Sequence, residues 1–391
     1  MVRVVLGLVL ASFFTVKGET LEEILNRAYD SKLIKSKGYE VKSFEGEILK
    51  ARVFANPEVY TEFGKLISRK DFSGTVTELS VSQPLYLYGS RRFKIEEALN
   101  LYDAIKYSFE TFKREFISDV YTLFFEALYN RELLEISKQE LAFSEDILSF
   151  VRKTYELGEI SKIDMLRSEK DYELTKINYE KQKLSYRQSI ERLSAKVGFN
   201  VSTVDGDISQ LKEIKDIDLL QLPDYRFIQS NLKALSNQEE YYRALAKPQV
   251  SVGFIGREVF RNNYEGGVFL SATLPVFNRY LGELLTIRNK KAYFENLLDY
   301  NLKNYSIKFE SIKRTDKLLK GQIQELQEKV IPTLNQQLQL ANKSYRLKVI
   351  TLFELTSIKN DYYQTLRFKY ELLNNAHKNY GDYIKIGGSL L

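Results

Sequence analysis

One stretch of the chain, residues 91–197, restricts the possible folds more than any other. Its first part has about 65 residues without proline or glycine, which predicts one helix on the order of 100 Å long. Helices in compact domains have about three turns, so an ordinary globule has no use for it. After a break at residues 155–166 the helical pattern resumes and continues to Gly198. The stretch therefore predicts a long helical hairpin that buries its apolar side against partners.

The apolar residues of the long helix recur every seven positions. They include Ala127, Leu134, Leu141, Leu148 and Tyr155. A strict repeat of seven is typical of coiled coils, because it keeps one apolar stripe facing the neighbouring helix. We therefore expect coiled-coil packing along this helix.

Residues 1–18 have the pattern of a secretory signal peptide. Arg3 supplies a positive charge, the run from Val4 to Val16 is mostly apolar, and Gly18 is a small residue before the expected cleavage site. This run is shorter than the roughly 20 residues that a membrane-spanning helix needs. The chain has no cysteine to carry a lipid, so we expect an exported, non-lipidated protein.

The residue inventory excludes several classes of protein. There is no cysteine, and the one histidine, His377, is predicted to lie on a helix surface. Thiolate and histidine-rich metal sites are therefore not expected. No nucleophile–base pair or glycine-rich phosphate loop is recognisable, so we expect no catalytic residue, no cofactor, no metal and no enzymatic activity. The net charge of +6 is a mild surplus and gives no argument for a nucleic-acid partner.

Two strand-like runs before the long helix predict a β-hairpin over about residues 57–88. A charged loop, residues 68–74, joins them. In the second run Thr77, Leu79 and Val81 alternate with Glu78 and Ser80. Alternation with a period of two, at this length, is typical of a strand of a membrane barrel.

The same order of elements recurs in the second half of the chain. Matching landmarks are about 190 residues apart, which indicates an internal duplication. These landmarks are Pro57 and Pro248, Pro84 and Pro275, and Tyr155 and Tyr345. We predict two structural repeats, residues 19–200 and 201–391. Each contains a β-hairpin (about 57–88 and 248–277) and a long helical hairpin (about 91–197 and 279–383).

Four amphipathic strands per chain cannot close a barrel, and a bilayer does not tolerate open sheet edges. Closure therefore requires several chains, and three copies would give twelve strands, enough for a water-filled lumen. The predicted fold class is mainly α with a small β portion. Long antiparallel coiled-coil helices and four β-strands per chain would form a trimeric helical barrel topped by a 12-stranded outer-membrane β-barrel.

Several motifs of the chain resemble the TolC family of outer-membrane efflux channels. They comprise the mature start Thr20-Leu21-Glu22-Glu23, the strand openings Asn56-Pro57-Glu58-Val59 and Lys247-Pro248-Gln249-Val250, the strand closings Ser82-Gln83-Pro84-Leu85 and Thr273-Leu274-Pro275-Val276, and Ile331-Pro332. Two helix turns complete the resemblance, with Tyr155, Gly158, Ser161, Asp164 and Leu166 in one and Tyr345, Lys348, Thr351, Glu354 and Leu355 in the other. The family has glycine where this chain has Lys348, so we expect the second turn to be built differently.

The resemblance implies the exit duct of a tripartite efflux system, which passively exports small molecules or metal ions. Its implied partners are two further copies of the chain, a periplasmic adaptor protein, an inner-membrane pump and outer-membrane lipid. Glu354, and Asp164 in the first repeat, correspond to acidic residues at the periplasmic aperture, although a first-turn acid also suits the helix dipole. The resemblance implies adaptor docking at the two turns, at Tyr155, Gly158, Ser161, Tyr345, Lys348 and Thr351. We expect Tyr155 and Tyr345 to act mainly in packing, and Arg91 and Arg92 to be interfacial or capping charges.

Two other functions are compatible with the pattern. The exit duct of a type I protein secretion system would have the same fold. A soluble periplasmic coiled-coil adaptor would account for the long helices, but such adaptors carry one helical hairpin and a lipoyl-like β domain, whereas this chain has two equal halves.

Overall fold

A computed structural model describes residues 18–67, 73–259 and 263–390. The predicted signal peptide, except Gly18, and residues 68–72 of the charged loop lie outside the described residues. The chain divides into two compact units. Among the described residues, unit 1 falls within 1–35, 113–217 and 307–391, and unit 2 within 36–112 and 218–306. Each unit contains segments of both predicted repeats, so the units do not correspond to the repeats. The internal duplication therefore stays a prediction.

The described part of the chain is mainly helical. Its α-helices are α1 (Leu21–Tyr29), α2 (Lys32–Arg52), α3 (Ser90–Glu156), α4 (Lys162–Val197), α5 (Pro223–Leu245), α6 (Leu281–Glu325), α7 (Ile331–Arg346) and α8 (Leu352–Lys385). Helix α3 has 67 residues, as the proline-free stretch predicts. Within the described residues, no helix has both the length and the apolar character needed to cross a membrane.

The predicted second long helix is interrupted before Pro332. Residues 326–330 form one turn of π-helix between α6 and α7. Proline has no N–H to donate, and its ring collides with the carbonyl group four residues earlier. A wider turn relieves that collision, which explains an interruption that apolar periodicity alone does not reveal.

The core of unit 1 contains His377, and the prediction that this residue lies on a helix surface is wrong. The imidazole is 1 % exposed. Its Nδ1 lies 2.8 Å from the Tyr121 hydroxyl and its Nε2 lies 2.8 Å from the carbonyl oxygen of Ile208. The ring stacks on Phe125 at a centroid distance of 3.5 Å. Burial lowers the pKa of His377 to about 4, so the ring is neutral, donating from Nε2 and accepting at Nδ1.

Four antiparallel strands in unit 2 form one sheet in the order β1-β2-β3-β4. They are β1 (Glu58–Ile67), β2 (Ser73–Leu85), β3 (Gln249–Val259) and β4 (Tyr264–Thr273). Both hairpins and the strand alternation agree with the prediction. Among the described residues, β1 and β4 each pair with one strand only. The sheet therefore has two open edges.

The register gives the sheet two chemically different faces. On one face a row of charged residues crosses all four strands, because Glu62 is opposite Glu78, Glu78 is opposite Arg257 and Arg257 is opposite Glu265. The Arg257 guanidinium donates to a Glu78 carboxylate oxygen from Nε at 3.0 Å. The other face is apolar and exposed, and it includes Val59, Phe63, Leu79, Val81, Phe254, Val268 and Leu270. Phe254 is 70 % exposed and Leu270 72 % exposed.

Candidate functional site

The first helix turn of unit 1 joins α3 to α4. Gly158 has a φ of 75°, the left-handed conformation that suits glycine. The Gly158 N–H donates to the Tyr155 carbonyl at 2.8 Å, and the Glu159 N–H donates to the Thr154 carbonyl at 3.0 Å. These two bonds satisfy the last carbonyls of α3 in a Schellman-type ending.

The second turn, between α7 and α8, has the same construction. Lys348 has a φ of 60°. Its N–H donates to the Tyr345 carbonyl, and the Val349 N–H donates to the Ser344 carbonyl, both at 2.9 Å. The expectation that lysine makes this turn differently is therefore wrong. The hydrogen bonds fix the backbone, and Lys348 adopts a left-handed conformation that costs a non-glycine residue about 1–2 kcal/mol.

Both turns lead into capped helices. Ser161 accepts a hydrogen bond from the Asp164 N–H at 3.2 Å, and Thr351 accepts one from the Glu354 N–H at 3.2 Å. A Glu354 carboxylate oxygen also accepts from the N–H of Thr351 at 2.8 Å, which completes a capping box. The hydrogen bonds from Thr351 lower the pKa of Glu354. Glu354 is therefore exposed and ionised at neutral pH, and its carboxylate is already engaged in the cap.

An apolar cluster beneath the turns holds them together. It contains Ile147, Val151, Ala341, Tyr345, Leu352 and Leu355, with Ile160 and Met165 packed against it. Tyr345 is buried there and Tyr155 is half-buried. The cluster takes residues from α3, α4, α7 and α8, so it fixes the two turns beside one another.

Two ion pairs connect the elements around this cluster. The Lys348 ammonium lies 2.8 Å from a Glu159 carboxylate oxygen, and Arg346 pairs with Asp146. The turns, the Lys348–Glu159 pair and Asp164 border a cleft of about 340 Å³. The structure therefore brings Asp164, Tyr345, Lys348 and Thr351 together around one cleft, which Glu354 does not line.

Large apolar side chains are exposed at corresponding positions of both turns. Leu157 and Leu347 precede the left-handed residues, and Ile163 and Phe353 begin the returning helices. Leu157 is 73 % exposed and Phe353 70 % exposed. Clusters of exposed apolar residues on a protein surface mark interaction sites. The docking positions expected from the sequence included none of these four apolar residues.

A buried polar network further along the helices also escaped sequence reasoning. The Lys359 ammonium lies 2.7 and 2.6 Å from the two Asp171 carboxylate oxygens, and 3.2 Å from the Ser144 hydroxyl. These residues belong to α8, α4 and α3. Lys359 occupies the apolar stripe of α8 between Leu355 and Tyr363. A lysine within an apolar stripe is the sequence feature that could have indicated a buried ion pair.

At one end of the sheet, side chains fasten the α2–β1 connection to the start of α3. The Tyr86 hydroxyl accepts from the Ala55 N–H at 2.8 Å, and the Gln83 amide donates to the Ala55 carbonyl at 2.9 Å. Arg91 donates to the Arg52 carbonyl at 2.5 Å and lies 4.0 Å from the centre of the Phe54 ring. Arg91 thus acts partly as a clamp at this end of the sheet.

Comparison with known proteins agrees with this architecture. The family model described as outer membrane efflux protein matches residues 34–198, somewhat less than half of the chain. A search of curated protein sequences gave no significant match.

Several solved structures have a similar fold. CusC, described in terms of transmembrane channel formation, has a TM-score of 0.79 and 16 % identity, covering 94 % of this chain and 92 % of that chain. The outer membrane protein VceC from Vibrio cholerae has a TM-score of 0.77 and 14 % identity, covering 95 % and 97 %. The MtrE outer membrane channel from Neisseria gonorrhoeae, in its open state, has a TM-score of 0.75 and 16 % identity, covering 95 % and 89 %.

The chain therefore has the fold of outer-membrane channels over nearly its whole length. Its resemblance to outer membrane efflux proteins is also a matter of sequence, over residues 34–198. The predicted resemblance to the TolC family and the mainly α fold with four antiparallel strands are both confirmed.

Proposed function

We propose that three copies of this chain form a passive exit duct in the outer membrane, belonging to a tripartite efflux system. The observation that carries the proposal is the sheet with one exposed apolar face, one charged face and two open edges. An exposed apolar face of this kind suits lipid, and a row of charges suits a water-filled lumen. Open edges in a bilayer need partner strands, because no water is present to satisfy their N–H and C=O groups.

Strand directions support closure by copies of the same chain. Since β1 and β4 run in opposite directions, β4 of one copy can pair antiparallel with β1 of the next. Head-to-tail contacts of this type form a ring when the rotation closes. Three copies give twelve strands, enough to surround a lumen.

The absence of cysteine makes this closure directly testable by cross-linking. Thr61 of β1 and Leu270 of β4 are mid-strand positions on the same face of the sheet. Val268 and Ala272 lie on that face too, so cysteines at the three β4 positions cover three possible registers between the two strands. We expect Thr61→Cys combined with one of three β4 cysteines to give covalent dimers and trimers under oxidation, and no larger species. Each single-cysteine variant serves as a control and should give no ladder. A ladder that continues beyond the trimer, or no cross-link with any pair, would contradict the trimer.

The exposed apolar residues of the two turns support docking of a periplasmic adaptor. Leu157→Ser and Leu347→Ser remove apolar surface without touching the turn hydrogen bonds. We expect channels with these changes to conduct normally but to lose export in cells. Lys162→Ser, an exposed polar position near the first turn, is the matched control and should retain export. Loss of conductance together with export would instead indicate a damaged channel.

Glu354 is proposed to contribute an acidic ring at the periplasmic aperture, with Asp164 as a weaker contributor. Rings of carboxylates favour cations, and the lowered pKa of Glu354 keeps it charged. Glu354→Gln removes the charge and retains an oxygen for the cap. We expect its channels to lose cation preference, measured as the reversal potential in a salt gradient, and Asp164→Asn to have a smaller effect. An unchanged reversal potential in Glu354→Gln would remove the ring from this proposal.

A further inference from the structure

A cleft of about 380 Å³ lies in unit 2, where α2 ends, β2 ends and α3 begins. Three cationic side chains line it, from Lys50, Arg91 and Lys94. Its apolar wall includes Phe44 and Tyr241. Cations beside apolar rings suit a ligand that combines an anionic group with hydrocarbon.

The Arg91 side chain lines this cleft, and its hydrogen-bonding capacity is only partly used by the chain. Its Nη2 is occupied by the Arg52 carbonyl. Its Nε is buried and has no hydrogen-bond partner among the described residues. Buried polar groups almost always form hydrogen bonds, and leaving a buried donor of a charged group without an acceptor costs free energy. The Arg91 guanidinium is therefore only partly satisfied by the chain. Planar guanidinium groups suit phosphate oxygens, so Arg91 is the natural phosphate contact of this cleft.

The charges around the cleft fit a single negative charge. Glu47 lies 2.7 Å from the Lys50 ammonium, and Glu97 lies 3.0 Å from the Lys94 ammonium. Glu97 is buried and also accepts from the Gln238 amide at 2.9 Å. With both lysines balanced by acids, the positive charge of Arg91 is the surplus. A phosphodiester carries one negative charge and matches that surplus.

The surroundings of the cleft favour a lipid over a free phosphate. Val53, Phe54, Tyr86 and Tyr88 are exposed beside it. Tyrosine and arginine side chains at the end of membrane strands are typical of the level of the lipid headgroups. The apolar face of the sheet begins immediately beyond this end, with Val59 on β1.

We propose that this cleft binds the phosphodiester headgroup of a phospholipid, with Arg91 as the main phosphate contact and the acyl chains along Val53 and Phe54. The proposal rests on the proposed function, since it requires this end of the sheet to lie at the membrane surface. It gives Arg91, predicted from sequence as an interfacial charge, a specific ligand.

Native mass spectrometry of the full-length assembly in detergent tests the proposal with three probes. Phosphatidylglycerol carries the phosphodiester and the acyl chains, diacylglycerol lacks the phosphate, and inorganic phosphate lacks the chains. We expect phosphatidylglycerol to be retained, diacylglycerol not to be retained, and inorganic phosphate not to displace the lipid. Retention should be about tenfold weaker in Arg91→Gln, because charge-assisted hydrogen bonds are lost.

The neighbouring Arg92 provides the matched control. It pairs with Glu96 at 2.8 Å on the same helix and does not line the cleft, so Arg92→Gln makes the same change of charge and should retain lipid normally. If Arg91→Gln fails to assemble because its clamp is lost, the double variant Lys50→Gln/Lys94→Gln carries the test, with several-fold weaker retention expected.

Four results would overturn the proposal. Equal retention by the wild type, the cleft variants and Arg92→Gln would mean that no cleft residue binds the lipid. Displacement of the lipid by inorganic phosphate, or equal binding of diacylglycerol, would exclude the phospholipid headgroup as ligand. A less stable assembly with unchanged retention in Arg91→Gln would assign the cleft to a neighbouring copy. Single-channel recording on the same samples separates the two proposals, since a conducting channel without lipid selectivity refutes only this one.

Discussion

The two returning helices of unit 1 begin with the same turn and the same type of cap, yet α8 buries most of its apolar stripe whereas the first two thirds of α4 expose theirs. Helix α8 buries Leu352, Leu355 and Tyr363 within the chain. Helix α4 exposes Ile163, Leu166, Leu174, Ile177 and Leu184. Ile163, Ile177 and Leu184 fall on one repeat of seven, with Lys170 at the position between the first two. The exposed residues of α4 therefore form a coiled-coil stripe that no described residue of the chain covers.

Similar local sequence signals can therefore serve two levels of structure. Caps and left-handed turns determine where each helix starts. Whether the apolar stripe of a helix is buried depends on the surface that it faces. Helix α8 faces other helices of the same chain, and we propose that α4 faces another copy of the chain. Changes on α8 should therefore unfold the chain, and changes on the α4 stripe should separate the copies.

The largest effect is expected from Lys359→Ala on α8. It leaves Asp171 without its partner in a site where the lysine is 3 % exposed. Breaking a buried ion pair costs about 3–5 kcal/mol. The lower half of that range applies here, because Asp171 is 28 % exposed and keeps its hydrogen bond from Ser144. The midpoint of guanidinium unfolding followed by circular dichroism should therefore fall substantially. Lys176→Ala, an exposed position on α4, is the control and should shift the midpoint little. Equal shifts would contradict the contrast between the helices.

A smaller effect is expected from acid, through His377 on α8. The folded protein holds the pKa of His377 at about 4, below the ordinary value of 6.5. The unfolded chain therefore binds a proton on His377 at a higher pH than the folded chain does. The contribution of the neutral, buried His377 to the free energy of unfolding is complete above pH 6.5 and is lost as the pH falls towards 4. The loss amounts to roughly 3 kcal/mol. In His377→Gln the unfolding free energy should depend less on pH between 6.5 and 4 than in the wild type. Identical pH profiles would refute the buried neutral histidine.

The two turns should respond to substitution with opposite signs. Gly158→Ala places a side chain at a φ of 75° and should destabilise by about 1 kcal/mol. Lys348→Gly relieves the same strain and removes an exposed ion pair worth at most about 0.5 kcal/mol, so it should be neutral or slightly stabilising. Unfolding midpoints of the two variants measure the difference. A destabilised Lys348→Gly would mean that the Glu159 pair outweighs the backbone strain.

The smallest effect on chain stability is expected on the α4 stripe. Ile177 is 65 % exposed, so Ile177→Ser should change the unfolding free energy of one chain by no more than about 0.5 kcal/mol. The assembly should nevertheless dissociate more readily in detergent, as measured by its mass. Lys176→Ser, on the adjacent exposed position, should leave both properties unchanged. A stripe variant that assembles like the wild type would assign the α4 face to something other than a second copy.

Much of the architecture was predictable because its signals are local. Proline-free length, the two turn motifs at Tyr155 and Tyr345, and strand alternation predicted the helices, turns and strand faces. The wrong and missing predictions depend on contacts distant in sequence. His377 is buried because Tyr121, 256 residues earlier, reaches its ring, and Lys359 is buried because Asp171 lies 188 residues away.

Lys348 was misjudged for a different reason. Residue preference indicated a changed turn, whereas the hydrogen bonds of the turn and the packing of Tyr345 hold the backbone in place. At the candidate site, the acids and tyrosines were recognised from their positions, but the exposed apolar residues beside them required the structure.

Single-channel recording of the purified full-length chain in a planar bilayer tests the central claim most directly. If copies of the chain close their sheets around a lumen, discrete and uniform conductance steps should appear. Cross-linked trimers of the Thr61→Cys variant with a β4 cysteine should give steps of the same size as the wild type. If the assembled protein inserts without any conductance step, or if the steps come only from species other than the trimer, the account of a trimeric outer-membrane duct is contradicted.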